Sequence, residues 1–254
     1  MLNFESYYSI SQHPFVEDVF KHSMDISKEI SKPNGFKVAT HFVREPLVEE
    51  FYVTQLGYCL SHLLTTIQQM EHAVLYMSNF SPTELMKDAG VNRATHLLWS
   101  VENYIIRTQT AYDRLLILID RVFHIHNASN RISHESIVTN SHIKRTKIPD
   151  SLKSVKKAVK KYCHDRNTII HESSYADDEL RRIEGISILS SSPDYGLQKD
   201  ENLKGDLKYD IREYVKKRKT EFTRINKNVC ISLGVLFTEM HPIYNTKLAE
   251  LCAK

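Results

Sequence analysis

The chain has 254 residues, 41% of them hydrophobic and 26% charged, with 34 Lys and Arg against 31 Asp and Glu for a net charge of +3. That length suits one large domain or two small ones, and it can bury a sizeable core without metal or disulfide support. The small charge excess excludes nucleic-acid binding by bulk charge alone, and seven Gly with seven Pro argue against a many-turned β-sandwich and for long helices.

Cys59, Cys163, Cys230 and Cys252 form no C-x-x-C pair and sit in mostly apolar runs, which fits reduced thiols better than a disulfide framework. Met1 to Glu5 lacks the basic start and apolar stretch of a signal peptide, and no apolar run approaches the ~18 residues of a membrane span. A cytoplasmic protein with no membrane contact is the expectation.

In chain order, Pro14 opens a predicted helix with Phe15, Val19, Ile26 and Ile30 inward, stopped near Lys32 by Pro33-Asn34-Gly35. A connection runs from Phe36 to Pro46. From Leu47 to about Met77, apolar positions recur at threes and fours from Tyr52 through Leu56, Leu63, Ile67 and Val74. Ser81-Pro82-Thr83-Glu84 reads as a helix start, with Ser81 as cap and Pro82 in the first turn. The clearest helix spans Asn92 to Ile125, with Leu98, Val101, Ile105, Thr108, Tyr112, Leu115, Ile119 and Val122 in phase. At 1.5 Å per residue it reaches on the order of 50 Å and forms the spine of a bundle. Arg107, Arg114 and Arg121 lie seven apart on another of its faces, either as a solvated stripe or as a phosphate-facing ridge.

Asn127 to Pro149 is polar and rich in Ser, Asn and His, and reads as a long loop. A helix then starts near Pro149-Asp150-Ser151 with Leu152, Val155, Val159 and Tyr162 inward. Lys153, Lys156, Lys157, Lys160 and Lys161 face out, as a solvated face or as an RNA-binding one. A short helix follows from Asp177 to Leu189, then a loop at Ser190 to Pro193. A last long helix covers Asp206 to Met240, with a tail helix after Pro242. The Lys216-Lys217-Arg218-Lys219 run on it is a second basic patch. The fold class is all-α: an up-and-down helical bundle over 47–254 with a loop insertion at 127–149, preceded by an N-terminal helical extension over 1–46.

Two Arg-x4-His pairs occur, where 13 Arg and 13 His predict about 0.7 by chance. Arg121-Val122-Phe123-His124-Ile125-His126 lies inside the apolar spine. Arg166-Asn167-Thr168-Ile169-Ile170-His171 follows a lysine-rich helix and precedes Glu172. Its residues suit phosphoryl chemistry. Histidine titrates near neutrality and serves as general base or acid, while arginine stays charged and grips phosphate oxygens through two parallel donors. His171 is thus the proton-transfer candidate, Arg166 the stabiliser of a phosphorane and Asn167 a positioner. Glu102 and Asp113 on the spine are candidates to pair with the arginine, against plain solubility. His124 and His126 lack a third ligand of suitable spacing, so neither metal nor cofactor is expected.

Long amphipathic helices followed by a late R-N-x-x-x-H resemble the HEPN superfamily, over about residues 47–240 by helix order. That resemblance implies a bundle of four or five helices and a metal-independent endoribonuclease with Arg166, Asn167 and His171 as its motif. It also implies a homodimer with both motifs at the interface, RNA as substrate, and a toxin or phage-defence role with an antitoxin or defence partner protein. The alternative is a non-catalytic HEPN-like module binding RNA, a nucleotide or a protein. Some family toxins carry a tyrosine two residues after the histidine, where a nucleotidyltransferase modifies them; here Ser173 holds that position and Tyr175 is the nearest tyrosine. One constraint comes from the residues themselves. Five residues of regular α-helix turn through about 500°, so Arg166 and His171 point about 140° apart. Either the β-branched Thr168-Ile169-Ile170 run distorts the helix, or a second subunit completes the site.

Overall fold

The computed structural model describes residues 5–30, 44–191 and 200–253, and among them helix is the only regular structure besides short 3₁₀ turns. The helices are α1 (Glu5–Ser11), α2 (Pro14–Ile30), α3 (Val48–Ser78), α4 (Glu84–Asp88), α5 (Arg93–Val122), α6 (His134–Val138), α7 (Ile148–Val159), α8 (Cys163–His171), α9 (Asp178–Ser191) and α10 (Glu201–Cys252). The expected stop at Pro33-Asn34-Gly35 and the connection from Phe36 lie outside the described residues as far as position 43.

Helices α3, α5, α7 and α10 form the bundle. Their apolar stripes meet in one core that includes Leu56, Leu63, Val101, Leu115, Leu152, Phe222 and Leu236. Tyr104 of α5 ties two long helices together: its ring stacks on Phe222 at 3.7 Å, and its hydroxyl donates to the Phe222 carbonyl and to Asn226 Oδ1. The N-terminal helices share this core. Phe15, Val16 and Val19 of α2 are fully buried against α3 and α10. Gly57 lets α2 approach α3, since a Cβ there would meet Ser23 Oγ at 2.7 Å.

Caps set most helix starts. Asn92 Oδ1 accepts from the Ala94 and Thr95 N–H groups, and Thr95 Oγ1 accepts from the Asn92 N–H. The short α4 is capped by Thr83, which accepts from the Met86 N–H, not by Ser81 as expected. Helix α5 stops at Val122, three residues earlier than its periodicity suggests, because His124 and His126 adopt left-handed backbone at φ 55° and 59°.

Two further expectations need correction. Residues 127–149 are not an irregular loop: they hold α6 and two 3₁₀ turns, pinned by the fully buried Ile137, Ile143 and Ile148. Three isoleucines spaced five and six apart match neither helix nor strand period, which hides their shared anchoring role. Pro242 does not divide the last helix. Helix α10 runs through it for 52 residues, roughly 78 Å at 1.5 Å per residue. An internal proline costs about 3 kcal/mol. Burial of Met240 and Tyr244 on either side offsets that, with Tyr244 Oη 2.7 Å from His22 Nδ1 and its ring against Phe15.

Candidate functional site

Helix α7 buries Ile148, Leu152, Val155 and Val159 and turns its lysines to solvent. A 3₁₀ turn over Lys160–Tyr162 interrupts the path, and α8 then carries the whole motif. The irregular turn therefore precedes the motif. Between Asn167 and Ile170 the helix is regular, so Arg166 and His171 diverge by about 140° within one chain.

Arg166 is half-buried and donates from Nη1 to Asn167 Oδ1 at 3.1 Å. Its Nε is buried with no acceptor among the described residues. Asn167 and His171 are exposed, with His171 on the last turn of α8. The backbone folds over directly after it, where the Glu172 and Ser173 N–H groups both donate to the Thr168 carbonyl. One side of α8 rests on α5 through Ile169.

The remaining candidates separate. Glu102 of α5 accepts from the Tyr175 N–H at 2.8 Å, so it holds the segment that follows the motif and makes no ion pair with Arg166. Asp113, three turns further along α5, is exposed and accepts from Gln109. All five lysines are exposed, yet Lys153 pairs with Asp150 at 2.8 Å and Lys161 with Glu221. Lys156, Lys157 and Lys160 have no ion-pair partner among the described residues.

The arginines on the spine do not make a phosphate ridge. Arg114 donates to the His62 carbonyl and Thr66 Oγ1. Arg121 pairs with the fully buried Asp120 and donates to the Asn127 carbonyl, while Asp120 also takes both N–H groups offered by Asn127. Arg107 reaches Asn103. No group of three or more His, Cys, Asp or Glu among the described residues is placed to hold a metal ion. A cleft of about 750 Å³ between Arg93, Leu207, Lys208 and Ile211 contains no motif residue.

The sequence reading missed one cluster beside α8. Arg218, expected on a basic surface patch, is buried. Its Nη1 donates to Tyr162 Oη at 3.0 Å and Glu221 at 2.8 Å; its Nη2 donates to Tyr175 Oη at 2.9 Å and to Asp177. Tyr214 supports it from below, with the guanidinium 5.1 Å from its ring and its hydroxyl donating to Asp177 at 2.8 Å. Burial pushes the Asp177 carboxyl up, but the Leu180 N–H, Tyr214 and Arg218 outweigh it and hold it below its usual value. The Glu221 carboxyl is lowered in the same way, burial being outweighed by Lys161, Tyr162 and Arg218. A signal was present: Tyr214, Arg218 and Phe222 recur every fourth residue on the inward stripe, so Arg218 falls at an apolar phase.

A protein-family model described as Cthe2314-like HEPN matches residues 52–241, which is most of the chain. No curated protein and no solved structure matches. HEPN domains are generally associated with ribonucleases, commonly dimerise and act on RNA. The matched span takes in the four bundle helices and the motif that lies between α7 and α9, and the chain belongs to the HEPN superfamily, in its Cthe2314-like family.

Proposed function

We propose that the protein is an endoribonuclease that cleaves RNA by attack of the 2′-OH on the adjacent phosphate, at a site completed by a second copy of the chain. The observation that carries this reading is the presentation of Arg166, Asn167 and His171 on one accessible helix of a HEPN bundle, with Asn167 the one hydrogen-bond partner of the arginine among the described residues. The reaction needs one proton taken from the 2′-oxygen, one delivered to the departing 5′-oxygen, and stabilisation of the phosphorane between them. His171 offers an imidazole, the side chain suited to both proton transfers, and Arg166 a guanidinium whose Nε has no acceptor among the described residues. The 140° divergence on α8 is why a second copy is invoked: two chains bring two arginines and two histidines to one cleft, one histidine for each proton transfer.

Lys156, Lys157 and Lys160 would guide the phosphate backbone toward α8, because no described residue pairs with their charges. Among the described residues no helix is long and apolar enough to cross a membrane. The family resemblance supports a toxin or phage-defence effector acting on cytoplasmic RNA under control of an antitoxin or defence partner.

The test is purified protein with RNA in excess EDTA. Cleavage leaving 2′,3′-cyclic phosphate ends, abolished by Arg166→Ala and by His171→Ala, is the expected result. Equal cleavage by both variants would assign the activity to a contaminant and defeat the proposal. The same divergence of Arg166 and His171 also favours a second reading, a non-catalytic module that binds RNA, a nucleotide or a protein partner. That reading requires binding that survives His171→Ala and no turnover at any pH or metal condition.

A further inference from the structure

We propose that Arg218 is a positioning residue for the motif: a single buried guanidinium that presents α8 by holding the chain at both of its ends. Helix α8 is held only weakly by burial, through the partly buried Ile169 against α5. None of its nine residues is fully buried, whereas α7 buries four of twelve. Its position therefore depends on its flanks, and both flanks converge on Arg218. Tyr162 immediately precedes α8 and Tyr175 follows it by four residues, yet their hydroxyls accept from Nη1 and Nη2 of the same side chain. Each end is doubled by a carboxylate. Glu221 joins Nη1 and also accepts from Tyr162 Oη at 2.7 Å; Asp177 joins Nη2 and also takes the Tyr175 hydroxyl at 3.2 Å.

The geometry demands arginine. A planar fork offers two pairs of donors in fixed opposite directions, while a lysine ammonium is a single point charge that cannot serve both ends at once. Arg218 stands on the bundle helix α10, so the ties connect the shallowly packed α8 to the longest of the described helices. Glu102 adds a third anchor from α5 through the Tyr175 N–H. Because Arg218 is buried and faces protein partners, its removal should disturb the orientation of Arg166 and His171 without removing a contact to RNA.

The kinetic half of this inference rests on the ribonuclease reading, and the structural half does not; the experiment separates them. In Arg218→Lys, hydrogen exchange of the amides from Asn167 to His171 should rise about 10-fold or more while those at the centre of α5 stay within about twofold. In the same variant kcat should fall about 10-fold or more with KM within about threefold, the signature of lost orientation. Where Arg218→Lys does not fold, Tyr175→Phe and Tyr162→Phe remove one tie each. The first should loosen the C-terminal turn of α8 and the second its N-terminal turn, each with a smaller fall in kcat. Unchanged exchange across α8 in these variants would overturn the proposal, as would a rise in KM with kcat preserved. If the wild-type chain cleaves no RNA, the ribonuclease reading fails alone, and selective loosening of α8 still decides the role of Arg218.

Discussion

Arg121–His126 and Arg166–His171 share one spacing and sit in opposite surroundings. Arg121 closes the C-terminal end of α5, paired with the fully buried Asp120 and donating to the Asn127 carbonyl, and the chain turns away through left-handed His124 and His126. Arg166 lies mid-helix on α8 with Asn167 as its one hydrogen-bond partner among the described residues, and His171 is open to solvent. The first arginine has its donors occupied by the fold, and the second has donors to offer a ligand. Spacing alone does not mark a working pair; what the neighbouring groups already occupy does.

The comparison breaks most sharply on activity. Arg166→Ala or His171→Ala should each lower single-turnover RNA cleavage by about 10³-fold, in the range for loss of an acid–base or charge-stabilising group. Thermal unfolding should change little, because both side chains are at least partly exposed and unneeded by the core. Arg121→Ala should do the reverse. It leaves the Asp120 carboxylate buried without its cation and should cost about 3 kcal/mol in denaturant unfolding, with cleavage per folded molecule preserved. Equal effects of Arg121→Ala and Arg166→Ala on cleavage would erase the distinction.

A third variant sharpens the contrast between carboxylates that have a cation and those that do not. Glu71 on α3 is buried and, among the described residues, has no arginine or lysine paired with it and one side-chain oxygen without a hydrogen-bond partner. Burial raises its carboxyl from 4.5 to about 7 against the opposing N–H of Tyr7. The folded value exceeds the unfolded one, so stability falls as pH rises from about 4.5 to about 7 and the loss is complete above that range. Glu71→Gln should therefore stabilise the protein by about 2 kcal/mol at pH 8 and hardly at all at pH 4, measured by urea unfolding at both pH values. The smallest expected effect belongs to the free lysines. Replacing Lys156, Lys157 and Lys160 together by Ala should weaken RNA binding several-fold and reduce the slope of log affinity against log salt by about 2, as for three lost single-strand phosphate contacts.

The bundle was legible where apolar residues kept a helical phase. The stripes of α3, α5 and α7 read directly from the sequence, because packing onto neighbours requires those positions to be apolar. Legibility failed where a local rule was overridden by distant contacts. Pro242 reads as a break, and burial of Met240 and Tyr244 on either side of it offsets that break. The isoleucines at 137, 143 and 148 are spread among polar residues, so their common anchoring shows only in three dimensions. Arg218 reads as one of four surface cations, since charge masks an inward register. At the candidate site, the motif itself stood out by its polar and basic context. The tyrosines and acids that hold α8 through Arg218 did not, because they come from two separate stretches, 162–177 and 214–221, whose meeting shows only in the fold. The divergence of Arg166 and His171 was computable beforehand from helix geometry alone; the absence of a distortion between them was not.

That divergence makes the dimer the centre of the account. The most direct test is a structure of the protein bound to an RNA made uncleavable by a 2′-deoxy sugar at the scissile position. The account predicts that Arg166 and His171 of both copies line one cleft around a single phosphate, with α8 of each chain held by its own Arg218. Copies whose α8 helices face apart, with the RNA phosphate contacting neither motif, would contradict it.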